Sequence, residues 1–244
     1  MKSDLNFNPL AEKYQTTDQL PYRKYMEHWV YRKVLEELEP CSSLDLACGA
    51  GFYSGLLLEM GFTPVTGVDC SADMISLARA HFADKKNIKF IESRIEDFHP
   101  ETPFNVITAG WLLNYCEDTL HLEQLCTHLK SLLSSEGTMI ITVDCQGEYG
   151  CHEITDNVCA KIYHTHPLKD GESFRMTLPV NPPLDIYAVH FDKATIIQAM
   201  NNAGFSKVEW LPLSLDPKGI EKLGEESWQQ MINKPRIGFL KVAH

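Results

Sequence analysis

The chain has 244 residues, 44% of them hydrophobic, which is enough to bury one α/β domain with an added segment, and no stretch reaches the roughly 20 apolar residues of a membrane span. A formal net charge of -11, with no run of Lys or Arg, argues against a nucleic-acid backbone or an anionic membrane as the main partner. Eight cysteines without a Cys-x-x-Cys pair fit reduced thiols in a cytoplasmic protein, and the polar residues 1–6 carry no sign of a secretory leader.

Residues 1–25 are polar and contain Tyr14, Tyr22 and Tyr25. Trp29, Val30, Val34, Leu35 and Leu38 then recur at helical spacing, and Pro40 closes that helix. The chain is organised around the next stretch, Leu44-Asp45-Leu46-Ala47-Cys48-Gly49-Ala50-Gly51-Phe52-Tyr53-Ser54. It reads as the end of a buried strand, a glycine turn and the start of a helix through Leu56, Leu57 and Leu58 that stops at Gly61. Such a unit binds the polar middle of a nucleotide-like ligand at the helix N-terminus. Asp45 is costly at a strand end unless hydrogen-bonded. It either meets the ligand or accepts loop N–H groups, and the reading favours a place near the ligand.

A second strand, 64–69, ends in Asp69, 18 positions after Gly51. That is near the spacing at which an acid meets a ribose diol. Ser71 is an N-cap for a helix whose buried stripe is Met74, Leu77, Ala78 and Phe82. The segments 44–51 and Gly67-Val68-Asp69-Cys70-Ser71-Ala72-Asp73-Met74-Ile75 resemble the first two motifs of class I S-adenosylmethionine-dependent methyltransferases. Small-molecule enzymes of the toxoflavin-synthase and ubiquinone-biosynthesis type are the nearest in character. The resemblance implies a Rossmann-like α/β fold: a seven-stranded sheet of order 3-2-1-4-5-7-6 with one antiparallel strand and helices on both faces. It also implies S-adenosylmethionine as cofactor. Ala47, Gly49 and Gly51 would approach its amino-acid part and ribose, with Asp45 nearby. Asp69 would accept both ribose hydroxyls, beside Cys70 and Met74. Tyr14 and Arg23, in the N-terminal cap of residues 1–40, would cover it; the alternative is that Tyr14 packs on the surface and Arg23 pairs with a nearby carboxylate.

Strand three is 88–92, followed by Arg94-Ile95 where the family usually has Asp-Ala. Ile95 would still flank adenine through its main chain, with Glu96 or Asp97 as a substitute acid. Strand four, 104–109, leads through Ala109 into Gly110-Trp111-Leu112-Leu113-Asn114-Tyr115 at the sheet's carboxyl edge, where ligands of open parallel sheets bind. Trp111, Asn114 and Tyr115 are therefore expected to face cofactor or substrate, with Ala109 and Trp111 taken as cofactor-site residues; the alternative is that Trp111, Leu112 and Leu113 only wedge the next helix against the sheet. A helix over 118–134 buries Leu122, Leu125, Leu129 and Leu132 and leaves His121 and His128 in solvent. Gly137 turns the chain into strand five, 139–144.

Residues 146–190 break the repeating pattern and are expected to form a lid over the substrate. A metal site from Cys145, Cys151, His152, Cys159, His164 and His166 lacks the paired short spacings of zinc motifs, so no metal is expected. Tyr149, Tyr163, His152, His164 and His166 are the lid's possible general bases, and the catalytic residues stay unassigned. Asp192 caps a helix with Ile196, Met200 and Ala203 on one face, ended by Gly204. Strands 206–213 and 236–242 close the sheet. The whole is expected to be one domain over 1–244, acting on a small molecule. A nicotinamide oxidoreductase would share the strand, turn and acid, but Gly-x-Gly-x-x-Gly lacks its third glycine here. A non-catalytic relative that works through a partner is the other alternative.

Overall fold

The computed structural model describes residues 7–144, 160–163, 166–233 and 235–244. Its frame is a seven-stranded sheet built from β1 (Ser43–Leu46), β2 (Val65–Asp69), β3 (Ile88–Glu92), β4 (Phe104–Gly110), β5 (Leu133–Asp144), β9 (Lys207–Trp210) and β10 (Ile237–Ala243). The order is β3-β2-β1-β4-β5-β10-β9, with β10 antiparallel to both neighbours, as the resemblance implies once the sheet strands are counted by themselves. β1 lies between parallel partners β2 and β4, and all four of its residues are buried. Helices cover both faces, so this central strand reads as a continuous buried run.

Strand residues alternate between the two cores. Val106, Ile140, Ile237 and Phe239 face one core, packed by α2 (His28–Leu35) and α3 (Phe52–Glu59). Ile107, Ala109, Met139, Ile141 and Leu240 face the other, packed by α5 (Thr119–Leu132) and α6 (Lys193–Asn202). A smaller cluster joins Ile75 and Ala78 of α4 (Ala72–His81) to Phe90.

Three elements differ from the sequence reading. The N-terminal segment has no regular period: 3-10 turns flank α1 (Ala11–Gln15), and a π-helix, Arg23–Glu27, leads into α2. β5 begins at Leu133, and its pairing with β4 jumps from Phe104↔Leu133 to Val106↔Thr138, so residues 134–137 form an irregular bulge around the expected turn at Gly137. The long connection before β10 holds α7 (Pro217–Leu223) and α8 (Glu225–Asn233). Trp228 of α8 is fully buried, packs edge-on against Tyr25 and donates to the Gly219 carbonyl at 3.0 Å, so this connection braces the N-terminal segment.

Within the insertion, β6 (Lys161–Tyr163), β7 (Glu172–Leu178) and β8 (Leu184–His190) form a second, antiparallel sheet in that order. Phe174, Met176, Leu178, Leu184, Ile186 and Ala188 point into the core shared with α2 and α3. Tyr149, His152 and His164 of the lid's general-base candidates, and Cys145, Cys151 and Cys159 of the residues weighed for a metal site, lie outside the described residues. Among the described residues, no helix is long and apolar enough to cross a membrane.

Candidate active site

The turn after β1 presents main chain rather than side chains. Ala47 and Gly49 hold left-handed φ values of 51° and 52°, and Gly51 caps α3 at φ 96°. A Cβ on Gly51 would fall 2.7 Å from the Phe82 ring, so both conformation and packing demand glycine there. The turn is pinned to β2: Cys48 N–H donates to the Val68 carbonyl at 3.0 Å and Gly49 N–H to Asp69 Oδ2 at 2.8 Å. Ser71 N–H donates to Asp69 Oδ1 at 2.9 Å. Burial raises the Asp69 pKa, while the main-chain N–H groups of Ser71, Gly49 and Cys70 pull it down. A carboxylate offers about four acceptor sites, so hydroxyl donors can still be accommodated.

Tyr14, Ala47, Gly49, Asp69, Cys70, Met74, Ile95 and Trp111 line one cavity of about 180 Å³. Phe7 and Tyr115 join them, and their edge-on ring contacts (Phe7–Tyr14 at 5.2 Å, Phe7–Tyr115 at 5.7 Å) link Tyr14 to Tyr115. Four expected contacts lie off the cavity walls: Arg23, which lines an adjoining recess, and Gly51, Ala109 and Asp45. Gly51 serves the turn and Phe82, and Ala109 is fully buried in the core under α5. Asp45 is fully buried and accepts from Ser54 Oγ at 2.6 Å and Thr108 Oγ1 at 2.8 Å. It ties β1 to α3 and β4 and supports the loop from beneath. Burial pushes its pKa up to about 6, against the pull of those two hydroxyls.

Arg94, Ile95 and Glu96 also line this cavity. His121 does not stand in solvent, as α5 periodicity suggested: its side chain is 25% exposed and lines the cavity. Its Nδ1 accepts from Glu117 N–H at 3.2 Å, which leaves the ring proton on Nε2, 3.1 Å from Glu96 Oε1. Burial opposes the Glu96 charge, but its main-chain donor, His121 and Arg94 together hold its pKa below the usual carboxylate value. His128 is also only part-exposed, packed edge-on against His99.

An adjoining recess, which shares Tyr14, Gly49 and Trp111 with this cavity, is also lined by Asp18, Arg23 and Phe52. Arg23 is buried, stacks 4.1 Å over Phe52, and pairs with Asp18 at 2.9 Å and Glu27 at 3.4 Å. Glu27, not singled out by sequence, is wholly buried. It accepts from Tyr53 Oη at 2.6 Å and from Trp111 Nε1 at 3.2 Å. Burial raises its pKa even with Arg23 beside it. Trp111 takes a left-handed φ of 64°, rare for a bulky residue. The Glu27 contact and a 2.8 Å hydrogen bond from Trp111 N–H to the Thr142 carbonyl hold it there.

Trp111, Tyr14 and Tyr115 also form the wall of a second, smaller cavity of about 30 Å³, under the three-stranded sheet. Met176, Leu178, Ile186 and Ala188 give that cavity an apolar side, while Asn114, Asp144 and Arg236 bring polar groups to it. Asn114 is fixed between strands: it donates to the Val189 carbonyl and accepts from Asp144 N–H, both at 3.0 Å.

A family profile described as a methyltransferase domain matches residues 44–137, the unit from β1 into β5. An uncharacterized protein of Haemophilus influenzae is 27% identical over 97% of this chain and 94% of its own length. A trans-aconitate 2-methyltransferase of Enterobacter is 34% identical, over 40% of this chain and 37% of that protein. The chain thus spans well under half the length of that named relative. The crystal structure of a S-adenosylmethionine-dependent methyltransferase from Clostridium acetobutylicum superposes with a TM-score of 0.65 at 16% identity, covering 97% of this chain and 99% of that one.

Proposed function

We propose that the chain is a class I S-adenosylmethionine-dependent methyltransferase and that it methylates a small-molecule acceptor held in the second cavity. One observation carries this reading: two cavities, one built on a main-chain turn and a strand-end acid, the other largely apolar, share the walls Tyr14, Trp111 and Tyr115. Bound S-adenosylmethionine supplies a methyl group already activated on a sulfonium sulfur. The residues present suit it. Asp69 would receive ribose hydroxyls, Ile95 and Met74 would flank adenine, and Arg23, paired with Asp18 and Glu27, would line the recess beside the amino-acid part. The chain's own part is to align a nucleophile and keep water away, and alignment contributes on the order of 7–11 kcal/mol in favourable cases.

The insertion that carries β7 and β8 acts as the acceptor's cover, and its apolar wall suits an organic body more than a polymer backbone. The net charge of -11 and five free cysteines among the described residues support a cytoplasmic enzyme without a nucleic-acid partner. The test is a screen of amines, phenols and carboxylic acids for release of S-adenosylhomocysteine, with mass detection of the methylated product and NADH binding as control. Methylation of at least one small acceptor with no NADH binding is expected. Binding of S-adenosylhomocysteine without turnover on any class would favour a non-catalytic relative.

A further inference from the structure

Methyl transfer to an O–H or N–H acceptor releases one proton inside the fold. The acceptor atom gains a bond to carbon, the carbon–sulfur pair stays on sulfur, and the acceptor's proton must leave. Among the described residues, one line of titratable groups runs outward from the second cavity. Asp144, on the cavity wall and 2% exposed, has Oδ2 3.0 Å from Nδ1 of His190. His190, 1% exposed, has Nε2 3.2 Å from Oδ1 of Asp192, whose side chain is 53% exposed. Both imidazole nitrogens therefore face carboxylate oxygens, an arrangement in which either can carry a proton and pass it on.

Two details favour transport over simple fastening. Asp192 stands at the N-cap of α6 yet makes no side-chain cap bond; its carboxylate turns to His190 instead. Its main chain is held from the other side, because Asp192 N–H donates to Asp170 Oδ1 at 2.6 Å. Glu172, the cross-strand partner of His190 on β7, is occupied by His166 at 2.6 Å and by Lys169 N–H at 3.1 Å. Burial disfavours a charged His190, but Asp144 and Asp192 outweigh it and raise its pKa above that of an ordinary histidine.

We propose that Asp144, His190 and Asp192 form the exit route for the proton released by methyl transfer, with Asp144 receiving it and His190 and Asp192 handing it to solvent. This rests on the reading that the acceptor occupies the second cavity. The probe is the full chain labelled with 15N-histidine, with and without S-adenosylhomocysteine, as wild type and as Asp192→Asn and Asp144→Asn variants. The His190 titration and the exchange of its ring protons with water are read by NMR. The expected result is a His190 midpoint above the ordinary histidine value that falls in each variant, and ring-proton exchange slowed at least tenfold in Asp192→Asn with nucleoside affinity unchanged. Exchange indifferent to Asp192, or a ring neutral throughout the neutral range, overturns the proposal and leaves the cluster a structural tie. Failure of wild type to bind S-adenosylhomocysteine would instead strike the cofactor reading, and the ligand-free titration still decides the relay.

Discussion

Asp45 offers a test in which the sign of a pH effect is fixed by burial. Its carboxyl is fully buried, with a pKa raised from 3.8 to about 6. A raised acid pKa means the folded state binds more protons than the unfolded chain between those two values. Stability from this group is therefore greatest at low pH and falls as pH rises through the window. The shift of about 2 units corresponds to about 3 kcal/mol, of which about 2 kcal/mol falls between about pH 4.5 and 7.5. Asp45→Asn keeps the shape, can still bond Ser54 and Thr108, and cannot ionise. Denaturant unfolding of both proteins across that range isolates Asp45, because other titrations cancel in the difference. The variant should gain about 2 kcal/mol relative to wild type from the acid to the alkaline end. A difference that is flat in pH, or one that turns against the variant as pH rises, would show that the two hydroxyl donors outweigh desolvation and would refute the reasoning.

Glu27→Gln removes the charge that Arg23 shares with Asp18 and loosens the hold on Trp111. It should lower stability by about 1–3 kcal/mol in urea titrations and shift Trp111 fluorescence, whereas unchanged values would make the network incidental. Gly51→Ala must accept a left-handed φ and a 2.7 Å approach to Phe82. A loss of about 2 kcal/mol or more is expected by thermal unfolding, and a neutral outcome would contradict the turn geometry.

The parts of this fold that were legible in sequence are those governed by local rules. The run Ser43–Leu46, the glycines after it and the acid at Asp69 announce strand, turn and strand because each conformation needs that residue type. The leucines of α5 announce their buried face by spacing alone. The rest depends on partners distant in sequence. The irregular turns of residues 8–27 have no period to read, and Trp228 holds them through Tyr25, 203 positions upstream. His121 looked like a surface histidine because Glu96 is 25 positions upstream. Asp45 looked like a ligand contact because its hydroxyl donors, Ser54 and Thr108, meet it only when α3 and β4 close around it. Glu27 carried no sequence signal at all. Only Tyr53, Trp111 and Arg23 converging on it reveal its place.

The central claim is that Asp69 and the turn at Gly49 hold the adenosine part of S-adenosylmethionine. Calorimetric titration of S-adenosylhomocysteine into wild type and Asp69→Ala measures it directly. Two hydroxyl bonds to a charged acceptor, at about 1.5 kcal/mol each, predict that affinity drops about 100-fold in the variant. Equal affinity in the two proteins would place the nucleoside somewhere else and contradict the account.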